Sequence, residues 1–200
     1  MLGRTHVTTT VSTGLLGLYG LYHAEQTFSL DTWYGSLTHQ FVEMIGLDFT
    51  LKEFSLFFAL FICIIGLAIG ALLPDIDSKR SILGRYVPFV EDLVGHRTIT
   101  HTIWVISGLF LISYFFGQTI LWMISFGYLF HVIQDSFSVQ GIDWLWPIGK
   151  GYKNYGGASI KRGFHIGIYR VGGILETVIH IFMFLLFVYM LYQWWRIAYI

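Results

Sequence analysis

The sequence predicts an all-α integral membrane protein, a helical bundle with four to five transmembrane helices that forms one domain over residues 1–200. Three observations carry that reading. Hydrophobic residues make up 55% of the chain and charged residues 12%, against the roughly 25% charge of a soluble domain. The run from Phe54 to Leu73 holds no charge and has the about 20 residues that a bilayer core requires. The basic residues gather in alternate loops, as they do when loops alternate between the two faces of a membrane.

The elements follow in chain order. Val7 to Leu21 is a weaker first span, acceptable because threonine hydroxyls can return to the helix backbone. The start of the chain has no small-residue cleavage site, so no removable signal peptide is expected. Residues 25–53 do not span. FSLFFALFICIIGLAIGALL, Phe54 to Leu73, is the strongest span, and Pro74 stops it. Residues 74–101 form a loop. Thr102 to Ile133 is longer than one span needs and carries Gly117-Gln118 near its middle, which gives a tight hairpin of two short spans or one long bent helix. Residues 136–172 form another loop, and Ile174 to Trp195 closes the bundle with Trp194, Trp195 and Arg196 as an interfacial anchor.

If all five segments cross, Arg4, Lys79, Arg80, Arg85, Arg97, Lys150, Lys153, Lys161, Arg162 and Arg170 share one side, against Lys52 and Arg196 on the other. Positive residues mark the cytoplasmic side, so the loops 74–101 and 136–172 are expected there, in a cell (inner) membrane. The net charge is zero, which recruits no nucleic acid. The single cysteine, Cys63, lies in an apolar run and forms neither an internal disulfide nor a thiolate metal site.

His6, Asp75, Asp77, His96, His101, His131, Asp135 and Glu176 all fall near membrane boundaries on that same side. LLPDID presents two carboxylates two residues apart, a spacing that lets one turn offer both to a cation or that simply ends a helix in solvent. His131 and Asp135, at i and i+4, share a helix face and can bind one metal or one another. His96 and His101 are five apart, about 500° around a helix. They converge if His96 lies in the loop, Thr98 or Thr100 caps the next helix, and His101 opens its first turn; two unlinked structural histidines are the alternative. His6 is a terminal histidine or a further ligand, and Glu176 a helix cap, a base or a ligand. Arg85 and Arg97 suit a phosphate oxygen pair, or merely follow the charge bias of the loops. His23, His39, His165 and His180 are set aside, for want of a partner at ligand spacing. Histidine and aspartate donors without cysteine suit zinc, manganese or iron in a hydrolytic site. Seven candidate donors exceed one tetrahedral shell, so two or more ions are expected.

In order along the chain stand GRTH at 3–6, LLPDID at 72–77, LGR at 83–85, GHRTITH at 95–101, GYLFHVIQD at 127–135, GIDWLWP at 141–147 and GGILE at 172–176. This succession resembles the YdjM-like family of inner-membrane metal-dependent hydrolases, over residues 3 to 176. The family looks like a membrane relative of the all-helical phospholipase C and P1 nuclease group, which uses a His-xxx-Asp helix within a multi-zinc site. The resemblance implies His131 and Asp135 as ligands, with His6, Asp75 or Asp77, His96 and His101 completing the shells. Three positions depart from the family pattern: Ser78 replaces a histidine after PDID, Thr98 replaces a glycine and stiffens its turn, and Ser138-Val139 replaces Thr-Pro.

The function expected is a membrane-bound hydrolase of a phosphoester, with phospholipid as a candidate substrate and membrane lipid as a partner, acting through metal-activated water. Glu176, Arg97 and Arg85 are the catalytic candidates, and the metal ligands are His6, Asp75, Asp77, His96, His101, His131 and Asp135. The alternatives are a metal transporter or sensor, whose ligands would line the middle of its spans, and a non-catalytic membrane scaffold with a structural metal site.

Overall fold

A computed structural model describes residues 3–51, 53–94, 97–148, 153–155, 158–160 and 166–199. Seven α-helices are named in chain order: α1 Gly3–Thr27, α2 Trp33–Met44, α3 Glu53–Leu72, α4 Phe89–Val94, α5 Ile103–Phe116, α6 Thr119–Ser136 and α7 Ile174–Tyr199. A short antiparallel hairpin pairs β1, Lys153–Tyr155, with β2, Ala158–Ile160. The rest is an all-α membrane protein.

Each segment read as a span is a helix. Two are long and apolar enough to cross a bilayer by length and composition, Ser55–Asp77 and Ile174–Tyr199, and α5 is a shorter apolar helix. The hairpin reading of 102–133 holds and the bent helix does not. Gly117 takes φ +60 at the C-cap of α5, a left-handed conformation that glycine adopts without strain, and α6 begins two residues later. Two boundaries shift from those expected. The first helix starts at Gly3, so His6 lies in its first turn rather than ahead of it. The segment 25–53 contains α2, capped by the Thr32 hydroxyl on the Gly35 amide.

The bundle is centred on the crossing of α3 and α6, where glycines let the backbones touch. A β-carbon on Gly70 would lie 2.2 Å from the Ile124 carbonyl oxygen, and one on Gly127 would lie 2.4 Å from that of Leu67. Small residues at such crossings are how helices associate where lipid removes the hydrophobic drive between them. Leu15, Cys63, Leu67, Met190 and Trp194 are fully buried where α1, α3 and α7 meet. Two interhelical hydrogen bonds add polar ties, Ser113 to Ser125 between α5 and α6, and the Ser12 hydroxyl to the Met183 carbonyl between α1 and α7.

The surface reverses the soluble pattern. On α7, Ile174, Val178, Phe182, Leu185 and Tyr192 are exposed, an apolar face suited to hydrocarbon rather than water. Helices that alternate in direction bring the start of α1, the end of α3, the start of α5 and the end of α6 together at one pole, and the polar residues gather there.

Candidate metal centre

The last turns of α6 supply two donors from one face. His131 Nε2 lies 3.7 Å from Asp135 Oδ2, as the i, i+4 spacing predicts. The other ring nitrogen, His131 Nδ1, is 2.6 Å from the Ala71 carbonyl oxygen of α3. That bond sets the tautomer: Nδ1 donates, and Nε2 carries its lone pair into the cluster, the usual way an outer partner orients an imidazole ligand. The close α3–α6 crossing brings the carbonyl to the ring.

After α3, Pro74 opens a 3-10 turn over Pro74–Asp77. Its two carboxylates part company instead of serving one cation side by side. Asp75 Oδ1 lies 3.7 Å from His131 Nε2. Asp77 is fully buried and turns toward the loop before α5, accepting the Arg97 amide at 2.9 Å and the Thr100 hydroxyl, with His101 Nδ1 at 3.5 Å. Asp77 thus orients the loop and the His101 ring. It lies outside the four groups whose donor atoms come within 4.8 Å of one another, Asp75, His101, His131 and Asp135.

The described part of the GHRTITH segment, Arg97 to His101, leads into α5 through a 3-10 turn over Ile99–His101. Arg97 takes φ +59, which costs a non-glycine residue roughly 1–2 kcal/mol and aims its amide at Asp77 and its side chain at Asp135. The left-handed residue is therefore Arg97 and not Thr98, which takes φ −106 and ψ −111. Neither Thr98 nor Thr100 caps α5. Thr100 gives its hydroxyl to Asp77, and Thr102 occupies the N-cap position with its own hydroxyl on the Ile99 carbonyl. His101 ends a 3-10 turn ahead of α5, fully buried, with Nε2 3.5 Å from Asp135 Oδ2. His96 lies outside the described residues.

From α1, His6 stacks on His131 with ring centroids 3.8 Å apart and places Nε2 3.3 Å from Asp135 Oδ1. Its Nδ1 meets Gln134 Oε1 at 3.0 Å, while the Gln134 amide nitrogen donates to Thr10. Three imidazoles thus turn Nε2 toward one carboxylate. Both His6 Nε2 and His131 Nε2 are fully buried and make no hydrogen bond among the described residues. In a tetrahedral zinc shell of 2.0–2.2 Å bonds, neighbouring donors sit about 3.4 Å apart, so contacts of 3.3–3.7 Å are close to what one ion would need. The residues present fit a divalent cation. The Asp75 side chain is 14% exposed while His101, His131 and Asp135 show none, so the accessible edge of the cluster is at Asp75.

Arg97 Nη2 lies 2.7 Å from Asp135 Oδ2, and Nη1 reaches Ser138 Oγ and the Gly141 carbonyl. Burial pushes the His101 ring toward its neutral form, but Asp135 and then Asp77 outweigh it and raise the pKa from 6.5 to about 9. A cation accepts only neutral imidazole, so metal uptake releases that proton. Metal affinity is therefore expected to climb with pH, about tenfold per unit, until it levels near 9; calorimetric titration across that range checks it, and a flat profile would contradict it. For the metal-free protein the sign is opposite. The raised pKa stabilises the fold fully below 6.5, and that contribution is lost as pH rises through about 9.

Two further candidates make contacts of their own. Glu176 is buried in the first turn of α7 and accepts the Gly172 amide at 2.6 Å, the helix-cap reading. Arg85 is exposed, bonded to the Ile82 carbonyl and stacked 5.2 Å over Tyr86; no described contact joins it to the cluster. His39, set aside on spacing, has Glu43 at i+4 after all, with Glu25 Oε1 at 3.0 Å, in a half-buried group whose outer member, Glu43, is exposed. The sequence reading missed Gln134, Thr100 and Tyr128, whose hydroxyl holds the Thr100 carbonyl. All three stand inside the motifs, Gln134 next to Asp135 and Thr100 next to His101, but nothing in their spacing says which group each one holds. The GIDWLWP stretch serves as a brace: the Trp144 carbonyl accepts the Ile103 amide and its indole donates to Ser136. Gly84 of LGR lies so close to Ser78 that a β-carbon would stand 2.1 Å from its carbonyl oxygen.

Compared with known proteins, the chain matches over residues 1–199 the family described as YdjM inner membrane protein. A Bacillus subtilis (strain 168) protein named "Uncharacterized protein YvsG" is 36% identical over 86 residues, 40% of this chain and 54% of that protein. "Inner membrane protein YdjM" of Escherichia coli (strain K12) is 31% identical over 87 residues, 38% of this chain and 44% of that protein. The match spans about half the length of these curated relatives. No solved structure matches.

Proposed function

The chain belongs to the YdjM inner membrane protein family, and from that premise we propose that it is a membrane-bound, metal-dependent hydrolase of phosphoesters, with phospholipid headgroups the nearest substrates. The observation that carries the reading is the convergence of three Nε2 atoms on Asp135, with one accessible edge at Asp75. A catalytic metal site keeps one position open where a structural site closes all of them, and Asp75 is where such a position would lie.

A divalent ion bound there would polarise a phosphoryl oxygen and lower the pKa of water. The remaining work belongs to the protein. Asp75, His101, His131 and Asp135 hold the cation, and His6 stands at the same carboxylate as a further donor. Asp77 and the Ala71 carbonyl keep two of the rings turned inward. Arg97 anchors Asp135 and positions the loop that carries His101. Imidazole and carboxylate donors without thiolate favour zinc, with manganese or iron as alternatives.

Full burial of three of the four donors favours a second reading, a structural ion that ties the helices. Purified protein assayed for bound metal and for hydrolysis of a generic phosphodiester, beside His131→Ala, separates the two. Metal in stoichiometric amount with turnover lost in the variant supports the enzyme; metal without hydrolysis of any phosphoester leaves the structural tie. The ten-to-two distribution of basic residues supports a cytoplasmic site. A topology reporter inserted in loop 136–172 is expected to score cytoplasmic, and a signal from the opposite side would reverse the orientation.

A further inference from the structure

Beside the cluster, on the flank where α6 meets α1 and α7, lies a groove of about 380 Å³ walled by Thr9, Phe130, Ile133, Gln134, Tyr169 and Ile179. Its walls are nearly all apolar. It follows α6 from Phe130 to Phe137, about 10 Å at the rise of an α-helix. The α7 side chains around it, including Val178 and Phe182, are exposed and apolar, so the phase outside the groove is hydrocarbon.

Two features decide what fills it. The first is size: a helix with its side chains is about 10–12 Å across, too thick for a slot bounded by single side chains of three helices and of the segment before α7, whereas an extended hydrocarbon chain fits. The second is Thr9. Hydroxyls on these helices normally return to the carbonyl four residues back, as Thr8 does to Arg4, Ser12 to Thr8 and Ser113 to Leu109. Thr9 Oγ1 does not. It is buried to all but 8%, lines the groove, and makes no hydrogen bond among the described residues. Of the other polar side chains of the wall, Tyr169 donates to the Gln134 carbonyl and the Gln134 amide is held by His6 and Thr10, while Thr13, one turn on from Thr9, is only partly buried and so is not stranded from solvent as Thr9 is.

We propose that this groove binds one acyl chain of a membrane glycerolipid, with the Thr9 hydroxyl donating to an ester carbonyl oxygen of that lipid. Gln134 makes the site a neighbour of the cluster, because the same side chain walls the groove and accepts from the His6 ring. The lipid site stands whether or not the cluster is hydrolytic.

The test uses the full chain reconstituted in phosphatidylethanolamine and phosphatidylglycerol bilayers that contain a small share of phosphatidylcholine bearing a diazirine in its acyl chain. After illumination, labelled peptides are mapped by mass spectrometry and bound metal is measured in parallel. Labelling is expected to concentrate on peptides carrying residues 9–13 and 130–137. Ile179→Trp, which fills the groove, removes that excess and leaves the metal content unchanged. Thr9→Val, which is nearly isosteric, lowers it about fivefold, the worth of one hydrogen bond. Labelling spread evenly over all lipid-facing helices, or an excess that both variants leave intact, overturns the proposal. Loss of hydrolysis with labelling retained would instead count against the enzymatic reading alone.

Discussion

Asp135→Asn is expected to strip the protein of bound metal and of whatever hydrolysis it performs. Loss of a mere outer partner of a metal ligand costs about 10–100-fold in affinity, and Asp135 is the group on which three rings and Arg97 converge. The variant should also lose stability in a way that His131→Ala does not. An amide there leaves the Arg97 guanidinium, itself nearly buried, without its anion, and breaking a buried ion pair from one side costs about 3–5 kcal/mol. Elemental analysis and thermal unfolding in detergent measure both effects. A variant that keeps stoichiometric metal would remove Asp135 from the centre of the site.

Gly70→Ala tests the scaffold behind it. The added β-carbon would stand 2.2 Å from the Ile124 carbonyl oxygen and 2.8 Å from the Tyr128 amide nitrogen, and backbone on both sides cannot rotate away as a side chain would. Overpacking of this kind costs about 1–3 kcal/mol, and occasionally more, so a large fall in melting temperature is expected. Metal affinity should fall with it, because α3 and α6 must separate and the bond from His131 to Ala71 lengthens. Gly17→Ala is the control. Nothing lies within 4 Å of its added methyl group, and replacing glycine within a helix gains about 0.5–1 kcal/mol. If both variants melt alike, the crossing is not the constraint proposed here.

Much of this architecture was legible in the sequence because hydrocarbon imposes simple requirements. An uncharged run such as Phe54 to Leu73 has one stable outcome, and Gly117 beside a polar residue marks a turn. The i, i+4 spacing of His131 and Asp135 passed directly into geometry because both stand in a regular helix. Asp75 and Asp77 did not behave so simply. Their spacing was visible, but the 3-10 turn that sends them to different partners depends on Arg97 and Thr100, some twenty residues away. For Arg97 a phosphate clamp and the charge bias of the loops both stood open, because a guanidinium looks the same in sequence whether its partner is a substrate, solvent or the protein's own carboxylate. Glu176 was a candidate for its place at a membrane boundary on the shared side and Arg85 for its guanidinium, and neither sidedness nor residue type says which way a side chain turns. Gln134 sat in plain view next to Asp135, yet its role appears only once α1 is packed against α6.

The bond between His131 and the Ala71 carbonyl has a further consequence for how this protein tolerates change. An orienting group carried on a side chain vanishes with one codon; a peptide oxygen survives any substitution at position 71 that keeps the helix. The ring's partner thus cannot be deleted by replacing one side chain, and its position is acutely sensitive to length. Inserting or deleting one residue in α3 between Gly66 and Ala71 would turn the carbonyl about 100° around the helix and leave every residue type in the motifs intact. An exchange at Ala71 acts only through packing and leaves the ring its acceptor, whereas a single-residue insertion takes the acceptor away.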